Sequence, residues 1–318
     1  MIARAASHAR IGGLLLAAVV ICARAAVAQD PGATAAAVLR VAPAPRPLAL
    51  GGAYVPFADV LSVFYNPARL SAADPAAALA YRTLPVEAGI GSAALAARLG
   101  PGTFGFGAQF LNYGEIEVVE PDPSTGGEIG LPTGERVGGG ELVATAAYGV
   151  RLGGMFELGA AAKLIRLQLA EASASGAAFD VGAAVEGWDG RVALGVAVQN
   201  LGGDIGPGRE SPLPRMIRAG AALRLEAPAG LQAVLVAEAV EQGGAVSPLG
   251  GIEVGRVRPG AAIVGRLGYD GSAGEGAREP LVAGAGILLG GLALDYAFRA
   301  LGPLGATHVF GVTFRLSP

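Results

Sequence analysis

Charge is scarce in this chain. Only 15% of its 318 residues are Asp, Glu, Lys or Arg, against a usual share of about 25%. Aromatic residues make up 6%, and there is one cysteine, Cys22, with two histidines, His8 and His308. If a leader is removed after Ala28, Cys22 and His8 leave with it. The mature chain then has no disulfide, no thiolate nucleophile and no cysteine metal ligand. A net charge of −3 with no basic stripe excludes a nucleic-acid surface. Phosphate-loop, G-x-G-x-x-G-before-helix and H-E-x-x-H patterns are missing. His308 has no acidic partner or nucleophile elbow, so its expected place is a strand start at an interface. Glu120, Asp122, Glu128 and Glu135 lack the ligand spacing of a calcium loop. The expectation is a protein that is not an enzyme and uses no cofactor or metal. Beyond residue 28 there is also no run of about 18 apolar residues that could cross a membrane as a helix. The longest such stretch, Leu281 to Leu294, is interrupted by Gly290 and Gly291.

Apolar and small residues fill the space. The chain is 52% hydrophobic, with 52 glycines and 21 prolines. Arg4 and Arg10, the apolar run Ile11 to Ile21 and the small residues Ala26 to Ala28 read as a secretory signal over residues 1–28. Cys22 follows Ile21 where a lipoprotein signal wants a small residue, so lipidation is not expected. Residues 29–47 carry prolines at 43, 45 and 47 and read as an Ala/Pro-rich, extended periplasmic linker. An exported, apolar chain without a spanning helix points to a closed barrel, since lipid leaves no partner for an unpaired backbone group.

Period-two alternation supports that architecture. In 178–187, 214–226, 260–269 and 306–316 one face is apolar, while the other mixes charge with Gly and Ala. About fourteen such segments fill residues 76–318, most near the length a tilted strand needs. Short turns at Gly100, Gly153, Gly187, Glu226, Arg258 and Gly290 alternate with longer connections, the longest being 118–136, read as a solvated loop. Trp188 suits a membrane interface. The inward faces would carry Asp180, Glu186, Arg218, Arg224, Glu238, Glu253, Arg266, Asp295, Arg299 and Arg315. These either line a polar pathway or pair among themselves and with a plug, because charges inside must be paired or wet. The apolar face of 156–169 switches around Lys163, which a β-bulge would explain.

Residues 48–75 form the remaining unit. "LALGGAYVPFADVLSVFYNPARLS", Leu48 to Ser71, resembles the opening motif of the PorV/PorQ family of outer-membrane proteins, related to FadL-type transporters of hydrophobic molecules. The likeness rests on Leu50, Gly51, Gly52, Ala53, Asp59, Asn66, Pro67 and Ala68, with weaker echoes at Phe179, Val198 and Leu294; Arg69 stands where the family usually has Gly. The resemblance implies a fourteen-stranded outer-membrane barrel whose N-terminal segment plugs the lumen. Asn66 can cap a turn that Pro67 begins. Gly51, Gly52, Asp59, Asn66, Pro67 and Ala68 are the expected plug and turn residues. Expected partners are outer-membrane lipid and either hydrophobic small molecules or secreted proteins, but not nucleic acid. The expected function is movement of hydrophobic or small molecules across the outer membrane. Two alternatives are a part in type IX-like protein secretion and an exported soluble β-protein.

Overall fold

A computed structural model describes residues 34–316 except 86, 127 and 273–278. The signal sequence expected over 1–28 lies outside the described residues. Fourteen strands follow one another: β1 Ala76–Thr83, β2 Gly89–Leu99, β3 Gly102–Pro121, β4 Gly130–Leu152, β5 Phe156–Leu169, β6 Ala172–Gly187 and β7 Val192–Gly202. They continue with β8 Met216–Ala227, β9 Leu231–Gln242, β10 Ala245–Arg258, β11 Ala261–Asp270, β12 Leu281–Leu289, β13 Leu292–Ala300 and β14 Ala306–Arg315. Each pairs antiparallel with its sequence neighbours, and β1 pairs with β14, from Ala76 opposite Arg315 to Arg82 opposite Val309. The sheet is a closed barrel with no free edge around its girth.

The alternation in the sequence sorts the two faces. Leu79, Tyr81, Phe106, Phe110, Leu164, Leu267 and Phe310 are exposed on the outside. Ala78, Arg82, Gln109, Lys163, Asp180 and Arg266 are buried on the inside. An apolar exterior over a charged interior is the arrangement lipid demands and water forbids. Among the described residues no helix is long and apolar enough to cross a membrane.

Three sequence expectations change. Residues 34–47 do not run as an extended linker: Ala37–Arg40 forms a 3-10 turn and Pro45–Ala49 a short helix, with Val38, Leu39, Pro45 and Pro47 buried. Proline at the first helical position has no N–H to orphan there, which is why a proline-rich stretch can start a helix. The 118–136 loop is mostly sheet, since β3 and β4 go on pairing to Pro121 and Gly130 across two register shifts. The bulge near Lys163 is absent, because β5 pairs with β4 and β6 residue for residue from Phe156 to Leu169. Lys163, Ile165 and Leu167 all point inward. Ile165 and Leu167 are apolar there because Val38 and Leu39 cover them. The bulges of the barrel lie elsewhere, in the β3–β4 pairing and between β6 and β7 next to Asn200, whose φ is 60°.

Candidate functional site

The lumen is filled by the chain that precedes β1. Leu48, Ala49, Leu50, Ala53, Tyr54, Val55, Val63, Ala68 and Leu70 have at most 2% of their surface exposed. The turn Pro67–Ala72 packs on β3 to β6, and the helix Pro45–Ala49 packs on β11 to β14. A segment that touches opposite walls lies across the interior. Its backbone comes close because the facing wall positions are glycine. A methyl at Gly159 would meet Ala68 N at 2.3 Å, one at Gly182 would meet Asn66 Oδ1 at 2.0 Å, and one at Gly268 would meet Gly51 N at 2.2 Å. Gly51 has φ +69°, and a methyl on it would meet the Tyr269 carbonyl oxygen at 2.1 Å. Gly52 also has a positive φ of 86°, and its carbonyl accepts from Arg218 at 2.6 Å. A narrow lumen fits the small inward residues seen in the sequence. Much of that smallness is clearance for this segment.

Local chemistry shapes the segment. Asp59 caps the 3-10 turn Val60–Phe64: its side chain accepts from Leu61 N at 2.9 Å, and the Ser62 hydroxyl accepts from Asp59 N at 3.1 Å. Asn66 starts Pro67–Ala72, accepting from Ala68 N at 3.1 Å. Its amide nitrogen donates to the carbonyls of Val55 and, across to β6, Ala183. Asn66 therefore ties two stretches of the segment to the wall while being itself fully buried.

Three ion clusters anchor the segment. Arg69 has no exposed surface; its guanidinium reaches Glu157 on β5 at 2.5 Å and Glu186 on β6 at 2.6 Å, and donates to the Pro56 carbonyl at 3.0 Å. Arg151 holds the other oxygen of Glu157 at 2.6 Å. On the opposite wall Arg46 pairs with Asp59 and Glu253, each at 3.0 Å; Glu253 pairs with Arg266 at 2.5 Å, and Arg266 with Asp295 at 2.6 Å. The Arg46 guanidinium lies 4.9 Å from the Phe57 ring centre. Between these clusters Arg218 meets Glu238 at 2.6 Å, and Glu238 accepts from the backbone N–H groups of Tyr54 and Val55. Tyr54 donates to Asp59; burial pushes its hydroxyl well above the ordinary phenol range, so it keeps the proton it donates.

The expected lumen charges are all on inward-facing positions, and the structure brings most into pairs. Glu186, Arg218, Glu238, Glu253, Arg266 and Asp295 belong to the clusters above. Asp180 pairs with Lys163 at 2.7 Å, and Arg299 with Asp270 at 2.8 Å. Arg224 donates to the Gly190 carbonyl near the short-turn rim. Arg315 sits at the end of β14, exposed on that rim. His308 faces outward, its Nδ1 2.8 Å from the Tyr296 hydroxyl, and Trp188 is 71% exposed in its turn. Sequence reasoning missed Arg46, Arg69, Glu157 and Glu141. Glu141 accepts from the backbone N–H groups of Ala37 and Val38. The available signal was that a buried charge on the segment demands a partner on the wall.

Cavities flank the segment. Toward the long-connection rim one of about 420 Å³ is bounded by Leu39, Val41, Phe64, Met216, Lys163 and Gln199. Next to it lies the apolar cluster of Val38, Leu39, Ile165 and Leu167, closed over by Ile205 and Leu213 from the β7–β8 connection. Toward the short-turn rim one of about 460 Å³ is lined by Ser71, Arg98, Arg151, Glu186 and Arg224.

Solved structures share this architecture. The toluene transporter TbuX of Ralstonia pickettii aligns with TM-score 0.56 at 14% identity, covering 86% of this chain and 98% of its own. The P. putida toluene transporter TodX aligns with TM-score 0.56 at 11% identity, covering 88% and 100%. The chain shares its barrel fold with these two proteins. The monoaromatic hydrocarbon channel CymD adds a third example, with TM-score 0.53 at 11% identity over 86% of this chain. No protein-family model and no curated protein matches the sequence.

Proposed function

We propose that the protein carries small hydrophobic molecules across the outer membrane. The observation that carries this reading is the 420 Å³ cavity, which lies on the long-connection side of the lumenal segment beside a wholly apolar cluster. Its size is in the range of small-molecule pockets, about 300–1,000 Å³. Its own lining is mixed, with Leu39, Val41 and Met216 beside Arg82, Lys163, Arg218 and Asp270, so the adjoining apolar cluster supplies the hydrophobic surface. The shared fold with TbuX, TodX and CymD adds weight, as those proteins are described as toluene transporters or a monoaromatic hydrocarbon channel. The long connections face the cell exterior by the usual barrel rule, so the cavity is the first stop and the segment beneath it is the plug. The Arg46 anchor is the looser one, since both Arg46 and Asp59 keep about a quarter of their side chains exposed. It yields before the buried Arg69 anchor when a molecule passes.

The test is uptake of labelled toluene by cells lacking the protein, cells with the wild type, and cells with Val41→Trp, which fills the cavity. Wild type should raise uptake several-fold above the deletion, and Val41→Trp should abolish the gain while its folded band persists on unboiled gels. Equal uptake in all three strains overturns the proposal. Should the deletion instead lose secreted proteins, the PorV/PorQ-type secretion reading takes its place.

A further inference from the structure

The β3–β4 hairpin outruns its neighbours. β2 leaves β3 at Asn112, and β5 leaves β4 at Gly139. Between those points and the hairpin tip, residues 113–126 and 128–137 make strand pairs only with each other among the described residues. At about 3.3 Å per residue this ribbon stands roughly 25 Å beyond the long-connection rim. Isolated two-stranded ribbons are marginal in water. This one also exposes Ile116, Val119, Ile129 and Leu131, each at 48–65%.

Its charge is lopsided. Glu115, Glu117, Glu120, Asp122, Glu128 and Glu135 face one opposing cation, Arg136, whose contact with Glu115 is long at 3.6 Å. These are six of the 26 acidic residues in a chain of 318. No barrel stability requires carboxylates so far from the lumen. The edges are blunted by two register shifts and by Pro121 and Pro132, which disfavour addition of a further strand.

We propose that this ribbon is a docking arm for a basic protein surface at the cell exterior. Leu131 shares its face of the ribbon with Glu120 opposite it, and that apolar side chain with its neighbouring carboxylate marks the contact face, whereas Val119, opposite Pro132, lies on the other side. Charge selects the occupant. A second copy would bring the same carboxylates against these, and an anionic lipid surface would repel them, whereas a basic surface is drawn in. The inference is independent of the small-molecule reading, because the ribbon lies outside the cavity.

A photo-crosslinking residue in place of Leu131, in the full chain in intact cells, tests it. The expected adduct is with another protein, through a peptide of net positive charge. Its yield should fall at least about fivefold in the quadruple variant Glu115→Gln, Glu117→Gln, Glu120→Gln, Glu128→Gln, and in high salt. The crosslinked peptide, made synthetically, should bind the purified wild type about tenfold more tightly than that variant. An unchanged unboiled-gel band keeps misfolding from mimicking the result. Adducts only with a second copy, adducts only with lipopolysaccharide that EDTA abolishes, no adduct, or a yield indifferent to the four substitutions would each overturn the proposal.

Discussion

Arg69 occupies the position where the resembling family usually has glycine, and it is the most deeply buried cation of the lumen. Its two carboxylate partners lie on adjacent strands, so one side chain fixes both the height and the rotation of the turn Pro67–Ala72. Removing one member of a buried pair leaves an uncompensated charge, at a cost of about 3–5 kcal/mol. Arg69→Met should therefore destabilise the protein by that amount in urea unfolding, whereas Arg69→Met with Glu157→Met should recover part of the loss. No difference between the two would show that the pair is not the cause. Gly182 is a second sensitive position: Gly182→Ala forces a methyl onto Asn66 and should increase passage of small solutes through reconstituted protein. Unchanged permeability would argue against Asn66 as the fastening point.

At the level of elements, the Arg46 and Arg69 anchors of the lumenal segment are unequal. Losing the partly buried Arg46 contacts should leave the barrel assembled, since Glu253 keeps Arg266 as a partner. Arg46→Gln is expected to raise single-channel conductance while the melting temperature stays near wild type; a silent channel would contradict the asymmetry. The strands themselves were legible in the sequence, from β1 to β14, because lipid on one side and a crowded lumen on the other enforce a strict two-residue period. The segment was legible only in part. Asn66, Pro67 and Asp59 announce turns through local chemistry that any reader of sequence can apply. Residues 34–47 did not, since an Ala/Pro-rich stretch carries no sign that Glu141, about a hundred residues later, will accept its N–H groups. The same blindness misled the reading of β5. Ile165 and Leu167 look like an inverted face until Val38 and Leu39 are known to cover them. Long-range cover leaves no periodic trace.

For the whole molecule, closure predicts behaviour no single strand would give. A ring without free girth edges resists detergent, so the unboiled protein should migrate differently from the boiled one. Co-migration of the two would count against a closed barrel. The ten lumen charges foreseen from alternation include both signs, and their pairing leaves no continuous band of one sign across the lumen. Ion selectivity should accordingly be weak in any conductance that does appear.

The seam between β1 and β14 has an implication for biogenesis. The segment joins β1 directly, and the wall behind it is hollowed to its contour by glycine. Once the first and last strands have zipped together, forty folded residues cannot be threaded into so tight a bore. The segment must be lying in its trough while the sheet is still an open sling, so that the final zipping wraps a cargo the chain has already brought with it.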